Sequence, residues 1–114
     1  MKKFLSNLKN SINGLKIMMR GHSFVAELIG GIILIPYIIL SADIDITYKL
    51  IIIFTYVLLL VFEIVNTAIE KLCDKITKKY DKDIKAIKDI SSASVFIILI
   101  MLLIIILSVE FYYN

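Results

Sequence analysis

The sequence has 114 residues, of which 60% are hydrophobic, and a formal net charge of +3. Its mean hydropathy is +0.91. Soluble domains are about 45–50% apolar, so the composition excludes an ordinary soluble protein. The length fits one domain over residues 1–114.

The first predicted element is a helix over residues 3–20. With each residue turning about 100° around a helix, its apolar side chains fall within one arc and its polar side chains fall outside it. This pattern is typical of a helix that lies in the membrane surface, and a helix packed on a protein partner is the alternative. The apolar arc consists of Phe4, Leu5, Leu8, Ile12, Leu15 and Met19.

Three apolar windows follow, at residues 23–42, 50–69 and 90–109. A helix needs about 20 apolar residues to cross a hydrocarbon core of about 30 Å, and each window has that length. Strands are excluded because an open sheet in lipid leaves its edges unpaired. The sequence therefore predicts an all-α membrane protein with three transmembrane helices. In the first window, Gly30 and Gly31 permit another helix to approach closely.

Charge is distributed unevenly over the segments that flank these windows. Residues 1–22 carry basic side chains and no acid, and lysines outnumber aspartates in the predicted loop 71–89. The turn at 43–47 and the C-terminal end are acidic. The positive-inside rule therefore places the basic segments in the cytoplasm and the C-terminus outside. No cleaved signal peptide is expected, and Cys73, the single cysteine, is expected to be a structural thiol.

The stretch "FEIVNTAIEKLCDK", residues 62–75, places polar side chains at the end of the second window. Glu63, Asn66, Glu70 and Asp74 share one helix face at about 100° per residue. Glu63 lies about 10 Å from Glu70 along a helix, which puts Glu63 inside the hydrocarbon when Glu70 lies at its boundary. A charge there costs about 2 kcal/mol or more, so such a residue indicates a functional site.

Two interpretations of this polar face are open. Glu63 is either protonated and hydrogen-bonded to Asn66 or to a neighbouring helix, as an assembly device, or it belongs to a catalytic site. Carboxylates hold divalent cations and lysines hold phosphate, and a carboxylate below the interface can accept the proton of a lipid hydroxyl. The lysine-rich loop beside this face favours phosphoryl transfer at the cytoplasmic surface. No soluble nucleotide-binding motif such as GxxxxGKS is present.

The segments "EIVNTAIEKLCD" and "AIKDISSASV" together resemble the small integral-membrane diacylglycerol kinases of bacteria and their undecaprenol kinase relatives. The segment between them has the family length, "NGLK" at 13–16 echoes an N-terminal motif of the family, and the resemblance covers nearly the whole chain. The matching positions are Glu63, Asn66, Thr67, Ala68, Ile69, Glu70, Asp74, Lys88, Asp89, Ser92 and Ala93.

The resemblance implies an ATP-dependent lipid kinase of the bacterial inner membrane that works as a homotrimer, with active sites between subunits. It implies Mg²⁺ as the cofactor that accompanies ATP. It also implies diacylglycerol or another lipid alcohol as the acceptor, with phosphatidic acid as the product for phospholipid biosynthesis. Membrane lipids are the other expected partners, and no nucleic acid is expected to bind.

The resemblance also implies roles for individual residues. Glu63 matches the general base, Asn66 matches a residue that supports the base and the phosphate, and Glu70 matches a magnesium ligand that also contacts ATP. Ser92 and Glu27 match positions that bind the lipid. The further ATP-binding positions implied are Lys3, Asn10, Lys79, Tyr80, Asp81, Lys88 and Asp89.

One departure from the family pattern concerns the start of the first span, which reads "GHSFVAE". Family members usually have a second metal-binding glutamate here, and Gly21 stands in its place. A gapless alignment from the second helix puts His22 there instead. His22 or Glu27 takes over as metal ligand, water fills the position, or activity is weak. Lys79 and Asp81 also differ from the glutamate and histidine of some members.

Two alternatives to a diacylglycerol kinase remain at this point. Undecaprenol is a second acceptor within the family, although the N-terminal helix and the chain length favour diacylglycerol. A non-enzymatic membrane subunit, such as a small transporter or an assembly factor, is supported by the missing metal-binding glutamate.

Overall fold

The computed structural model describes residues 1–113, which form four helices: α1 (Lys2–Met18), α2 (His22–Leu40), α3 (Ile46–Ile76) and α4 (Lys82–Tyr113). The prediction of an all-helical fold is confirmed for this part of the chain. The three helices α2, α3 and α4 are long and apolar enough to cross a membrane, in agreement with the three predicted windows.

The helix boundaries differ from the predicted ones. The segment 71–89, predicted as a loop, is helical except at 77–81, because α3 continues to Ile76 and α4 begins at Lys82. The Asp81 carboxylate caps α4 by accepting the N–H groups of Asp83 at 2.9 Å and Ile84 at 3.0 Å. Apolar windows mark the membrane-crossing part of a helix, whereas capping residues decide where the helix begins.

The helix α3 is central, with α4 packed along it and α2 packed against it over a shorter length. Ile52 of α3 is fully buried. The apolar core is formed by Ile38, Ile44, Ile52, Tyr56, Leu59, Leu102 and Val109. Most other apolar side chains of α2 and α4 are exposed on the single chain, as expected where lipid or another subunit covers them.

One close contact fixes α2 against α3. A Cβ atom at Gly31 would overlap the phenol ring of Tyr56, so only glycine allows this approach without a shift of the ring. The Tyr56 hydroxyl donates a hydrogen bond to the Glu27 carbonyl oxygen at 2.8 Å. The predicted role of glycine in close helix approach is confirmed for Gly31, whereas a Cβ at Gly30 meets open space.

Hydrogen bonds tie the last turns of α2 and the α2–α3 turn to the end of α4. The Tyr37 hydroxyl donates to the Glu110 carboxylate at 3.1 Å, and the Asp45 N–H donates to the Tyr113 hydroxyl oxygen at 3.3 Å. The opposite end of the molecule, called the lysine-rich end below, contains residues 18–22 and 70–89. The site described next lies at the lysine-rich end.

Candidate active site

The polar face of α3 has a buried part and an exposed part. Glu63 and Asn66 are 8% and 7% exposed, and Glu70 is exposed. The Asn66 amide donates a hydrogen bond to the Glu70 carboxylate at 2.9 Å. Asn66 therefore pairs with Glu70, one helical turn towards the lysine-rich end. The hydrogen bond between Asn66 and Glu63 that the assembly interpretation expects is not formed within residues 1–113.

A cavity of about 270 Å³ lies where the end of α1, the start of α2 and the α3 polar face meet. It brings together Glu63 and Glu70 with Gly21 and His22, which are far from them in sequence. The lining residues are Ile17, Met18, Arg20, Gly21, His22, Ser23, Phe24, Glu63, Thr67, Glu70 and Lys71. This cavity is called the acidic cavity below.

The α1–α2 turn brings the start of α2 to this cavity. The Arg20 N–H donates to the Ile17 carbonyl at 3.1 Å and the Gly21 N–H donates to the Met18 carbonyl at 2.9 Å. Gly21 precedes the first helical residue of α2 with φ −89° and ψ 134°, an extended conformation that any residue adopts. A Cβ there would meet only the Met18 carbonyl oxygen, at 3.4 Å, so the backbone does not require glycine at this position.

Glu27 lies outside the acidic cavity. Its Oε2 atom is buried and has no hydrogen-bond partner among the described residues. Of the two replacement ligands that the sequence suggests, His22 therefore lines the cavity and Glu27 does not.

The side chains that line the cavity include possible ligands for Mg²⁺. Residues 1–113 contain no group of three His, Cys, Asp or Glu side chains placed to hold one metal ion. The cavity nevertheless offers two carboxylates, Glu63 and Glu70, and Mg²⁺ is commonly held by one or two carboxylates together with substrate phosphates. These residues therefore fit a Mg²⁺ that arrives with nucleotide phosphates, and they do not form an all-protein cage.

An ion pair joins α3 to α4 beyond the apolar windows. The Lys88 ammonium donates to the Asp74 carboxylate at 2.6 Å. This hydrogen bond lowers the pKa of the Asp74 carboxyl below its ordinary value and raises the pKa of Lys88. Asp89 accepts a hydrogen bond from Lys85 at 2.8 Å, four residues earlier on α4. The predicted nucleotide-binding residues Lys88 and Asp89 are thus both paired in the single chain.

The remaining predicted site residues do not line the acidic cavity. Lys3 and Asn10 are exposed on α1, and Ser92 is exposed on α4 while its neighbour Ser91 is buried. Lys79, Tyr80 and Asp81 form the exposed α3–α4 connection, where Asp81 acts as the helix cap. One chain therefore does not bring these residues together with Glu63 and Glu70.

Sequence reasoning missed Arg20 and Lys71, the two fixed cations that line the cavity, and it gave no role to Thr67. The position of Thr67 could have been found, because it lies four residues after Glu63 on the same helix face. Lys71 adjoins Glu70, and the sequence pattern places it among the lysines of the predicted loop 71–89. The position of Arg20 depends on the α1–α2 turn, which has no clear sequence signal.

The chain combines three helices that are long and apolar enough to cross a membrane with two carboxylates in a cavity at its lysine-rich end. The model of the prokaryotic diacylglycerol kinase family matches residues 9–109, and the chain belongs to that family. The resemblance noted from the sequence is therefore confirmed, and the chain is a membrane protein of a lipid kinase family. A comparison with curated proteins finds no match.

Proposed function

We propose that this protein transfers the terminal phosphate of ATP to diacylglycerol, forming phosphatidic acid at the cytoplasmic surface of the bacterial inner membrane. The observation that carries the proposal is the acidic cavity, where the buried Glu63 and the exposed Glu70 meet near the lysine-rich end. A lipid alcohol can approach from the membrane side of such a site, and a nucleotide can approach from the water.

Glu63 is proposed as the general base. It is 8% exposed, and no hydrogen bond within residues 1–113 occupies its carboxylate. It can therefore accept the proton of the lipid hydroxyl. The hydroxyl oxygen then forms a bond to the terminal phosphorus of ATP, the bond from that phosphorus to the bridging oxygen breaks, and ADP leaves with the electron pair.

Glu70 and Asn66 are proposed to position the nucleotide. Mg²⁺ bound with ATP supplies charge neutralisation on the phosphate oxygens. Glu70 is the exposed carboxylate of the cavity and would hold this ion. The hydrogen bond from Asn66 at 2.9 Å fixes the orientation of the Glu70 carboxylate.

The complete site is proposed to form between the subunits of a homotrimer. Within one chain, Lys88 and Asp89 lie on α4 and do not line the acidic cavity, so a second copy would supply the nucleotide contacts. The exposed apolar residues of α1, such as Phe4 and Leu8, fit a helix that lies in the membrane surface beside this site.

The purified protein, given labelled ATP and Mg²⁺ with either diacylglycerol or undecaprenol, tests the function and the acceptor together. We expect label in phosphatidic acid. Transfer to undecaprenol alone would show that the acceptor is a polyprenyl alcohol. Absence of transfer to both lipids would favour a non-enzymatic membrane subunit.

A further inference from the structure

Three lysines of α1 form a straight row along one edge of its apolar arc. Lys2, Lys9 and Lys16 recur every seventh residue, so they share one side of a helix that turns about 100° per residue, with a rise of about 10 Å between neighbours. All three are exposed, and none makes an ion pair or a hydrogen bond within residues 1–113. These three residues are called the lysine row below.

The packing of α1 shows which way the lysine row points. Met18 is the buried residue of α1, and it lines both the acidic cavity and a neighbouring apolar groove against α3. The Met18 side of α1 therefore faces the helix bundle. Lys9 lies nine residues earlier, about 180° around the helix, so the lysine row points away from the bundle.

The other two sides of α1 differ in polarity. The apolar arc lies between the Met18 side and the lysine row, and its side chains are exposed, with Phe4 at 65% and Leu8 at 48%. The polar residues Asn10 and Asn13 lie on the opposite side of the helix from this arc. With the arc in the hydrocarbon, the polar side faces water, and the lysine row lies at the level of the lipid headgroups.

No acidic side chain is placed to neutralise the lysine row. Residues 1–22 contain no aspartate or glutamate. At the lysine-rich end, Asp74 and Asp89 are paired with lysines of α4, and Asp81 caps α4. The counter-charge of the lysine row therefore comes from outside the chain, and the phosphates of anionic phospholipids lie at the same level of the bilayer.

We propose that the lysine row of α1 binds the headgroups of anionic phospholipids, so that negatively charged lipid collects beside α1. The apolar arc alone would favour any bilayer, whereas the lysine row selects for its charge. A lysine close to an anionic membrane surface favours that surface by about 1 kcal/mol, equivalent to about fivefold in affinity. This selectivity is a property of α1 and does not depend on the proposed transfer of phosphate.

A single tryptophan beside the lysine row can report which lipid lies there. The chain has no tryptophan, and Leu5, which is 54% exposed, lies on the apolar arc between Lys2 and Lys9. The full-length Leu5→Trp protein is reconstituted into vesicles of phosphatidylglycerol and phosphatidylcholine in equal amounts, with one or the other lipid brominated. The ratio of the two quenching efficiencies gives the relative affinity of the two lipids for this position.

Two triple variants in the Leu5→Trp background separate the lysine row from overall charge. The first replaces the three lysines of the row with glutamine. The matched control replaces three exposed lysines of the lysine-rich end, and so removes the same charge from the same end of the molecule. Thermal unfolding midpoints show that each variant is folded. The control substitutions are Lys75→Gln, Lys78→Gln and Lys82→Gln.

We expect the reporter protein to prefer phosphatidylglycerol by at least about fivefold at low salt, and this preference to shrink in about 0.5 M NaCl because salt screens surface charges. The row variant should bind both lipids equally within about twofold, and the control variant should keep the preference. Equal quenching by both lipids in the reporter protein, or equal loss in the two triple variants, would overturn the proposal.

Two further features make the outcome unambiguous. Quenching by neither lipid would show that a second copy of the chain covers the lysine row, and would also overturn the proposal. The assay contains neither ATP nor Mg²⁺, so its failure leaves the proposed kinase activity standing, and an inactive protein can still show the lipid preference.

Discussion

Glu63 and Glu70 share one helix face but differ in their surroundings. Glu63 is 8% exposed, whereas Glu70 is exposed and hydrogen-bonded to Asn66. A base works on a lipid hydroxyl only where it can meet the lipid, and a metal ligand must reach the water-borne nucleotide. Seven residues of helix, a rise of about 10 Å along the axis, place Glu63 deeper towards the apolar part of α3 than Glu70.

The first prediction concerns the base. Glu63→Gln removes the proton acceptor but keeps the shape of the side chain, so we expect lipid phosphorylation to fall by about 10²- to 10⁴-fold in a protein that remains folded. Phosphate transfer to diacylglycerol and size-exclusion chromatography in detergent are the measurements.

Asp43→Asn provides the matched control for Glu63→Gln. It neutralises an exposed carboxylate in the turn at the other end of the molecule and is expected to leave transfer unchanged. Near-normal turnover by Glu63→Gln would show that Glu63 is not the base, and would favour its role in helix assembly.

The second prediction concerns Gly21 and metal binding. Gly21→Glu adds a third carboxylate to the wall of the acidic cavity, and the backbone accommodates the side chain. We expect binding of Mn²⁺, as a probe for Mg²⁺, to tighten by about tenfold, equivalent to about 1.4 kcal/mol. The measurement is electron paramagnetic resonance of free Mn²⁺ without nucleotide.

Gly21→Gln adds the same bulk without the charge and is expected to bind Mn²⁺ like the wild type. A gain in lipid kinase activity of Gly21→Glu would locate the missing metal ligand at this position. Equal Mn²⁺ affinity of the glutamate and glutamine variants would place the second ligand elsewhere.

At the scale of the helices, periodicity and hydropathy predicted the three spans and the common face of Glu63, Asn66 and Glu70, because both depend on local sequence alone. The extension of α3 to Ile76 and the start of α4 at Lys82 were not predicted, since hydropathy marks only the apolar part of a helix and the start of α4 depends on the Asp81 cap. The acidic cavity was not predicted either. It depends on how the α1–α2 turn brings Arg20 and Gly21 against α3, and tertiary contacts of this kind leave no periodic signal.

The third prediction tests the packing of α2 on α3. Gly31→Ala forces the Tyr56 ring to move, because the added Cβ overlaps it, and overpacking of this kind costs about 1–3 kcal/mol. Gly30→Ala is the matched control, since a Cβ at Gly30 meets open space and alanine favours a helix over glycine. Thermal unfolding in detergent should show a lower midpoint for Gly31→Ala only. Equal midpoints would mean that the α2–α3 contact is looser than described.

At the scale of the whole molecule, the two ends of the helix bundle differ in their polar contacts. Tyr37, Glu110, Asp45 and Tyr113 close one end through hydrogen bonds. The acidic cavity, lined by Glu63 and Glu70, lies at the lysine-rich end. Lys88 and Asp89 do not line this cavity in a single chain, and the proposal that a second subunit supplies them has a direct test.

The fourth prediction is that two inactive variants restore activity when their subunits mix. In a site that combines Glu63 of one chain with Lys88 of another, coassembly of Glu63→Gln with Lys88→Met yields some sites with both native residues. With random mixing in equal amounts, about a quarter of the sites of a cyclic homotrimer are of this kind. Lipid phosphorylation after mixing in detergent and reconstitution is therefore expected to recover to about a quarter of the wild-type rate.

Glu63→Gln mixed with Glu70→Gln is the matched control for the mixing experiment. Both carboxylates line the acidic cavity of the same chain, so every mixed site lacks one of them and no activity should return. Recovery in the first mixture and none in the control would place Lys88 across a subunit boundary from Glu63. If neither mixture recovers although the chains coassemble, Lys88 acts within its own chain.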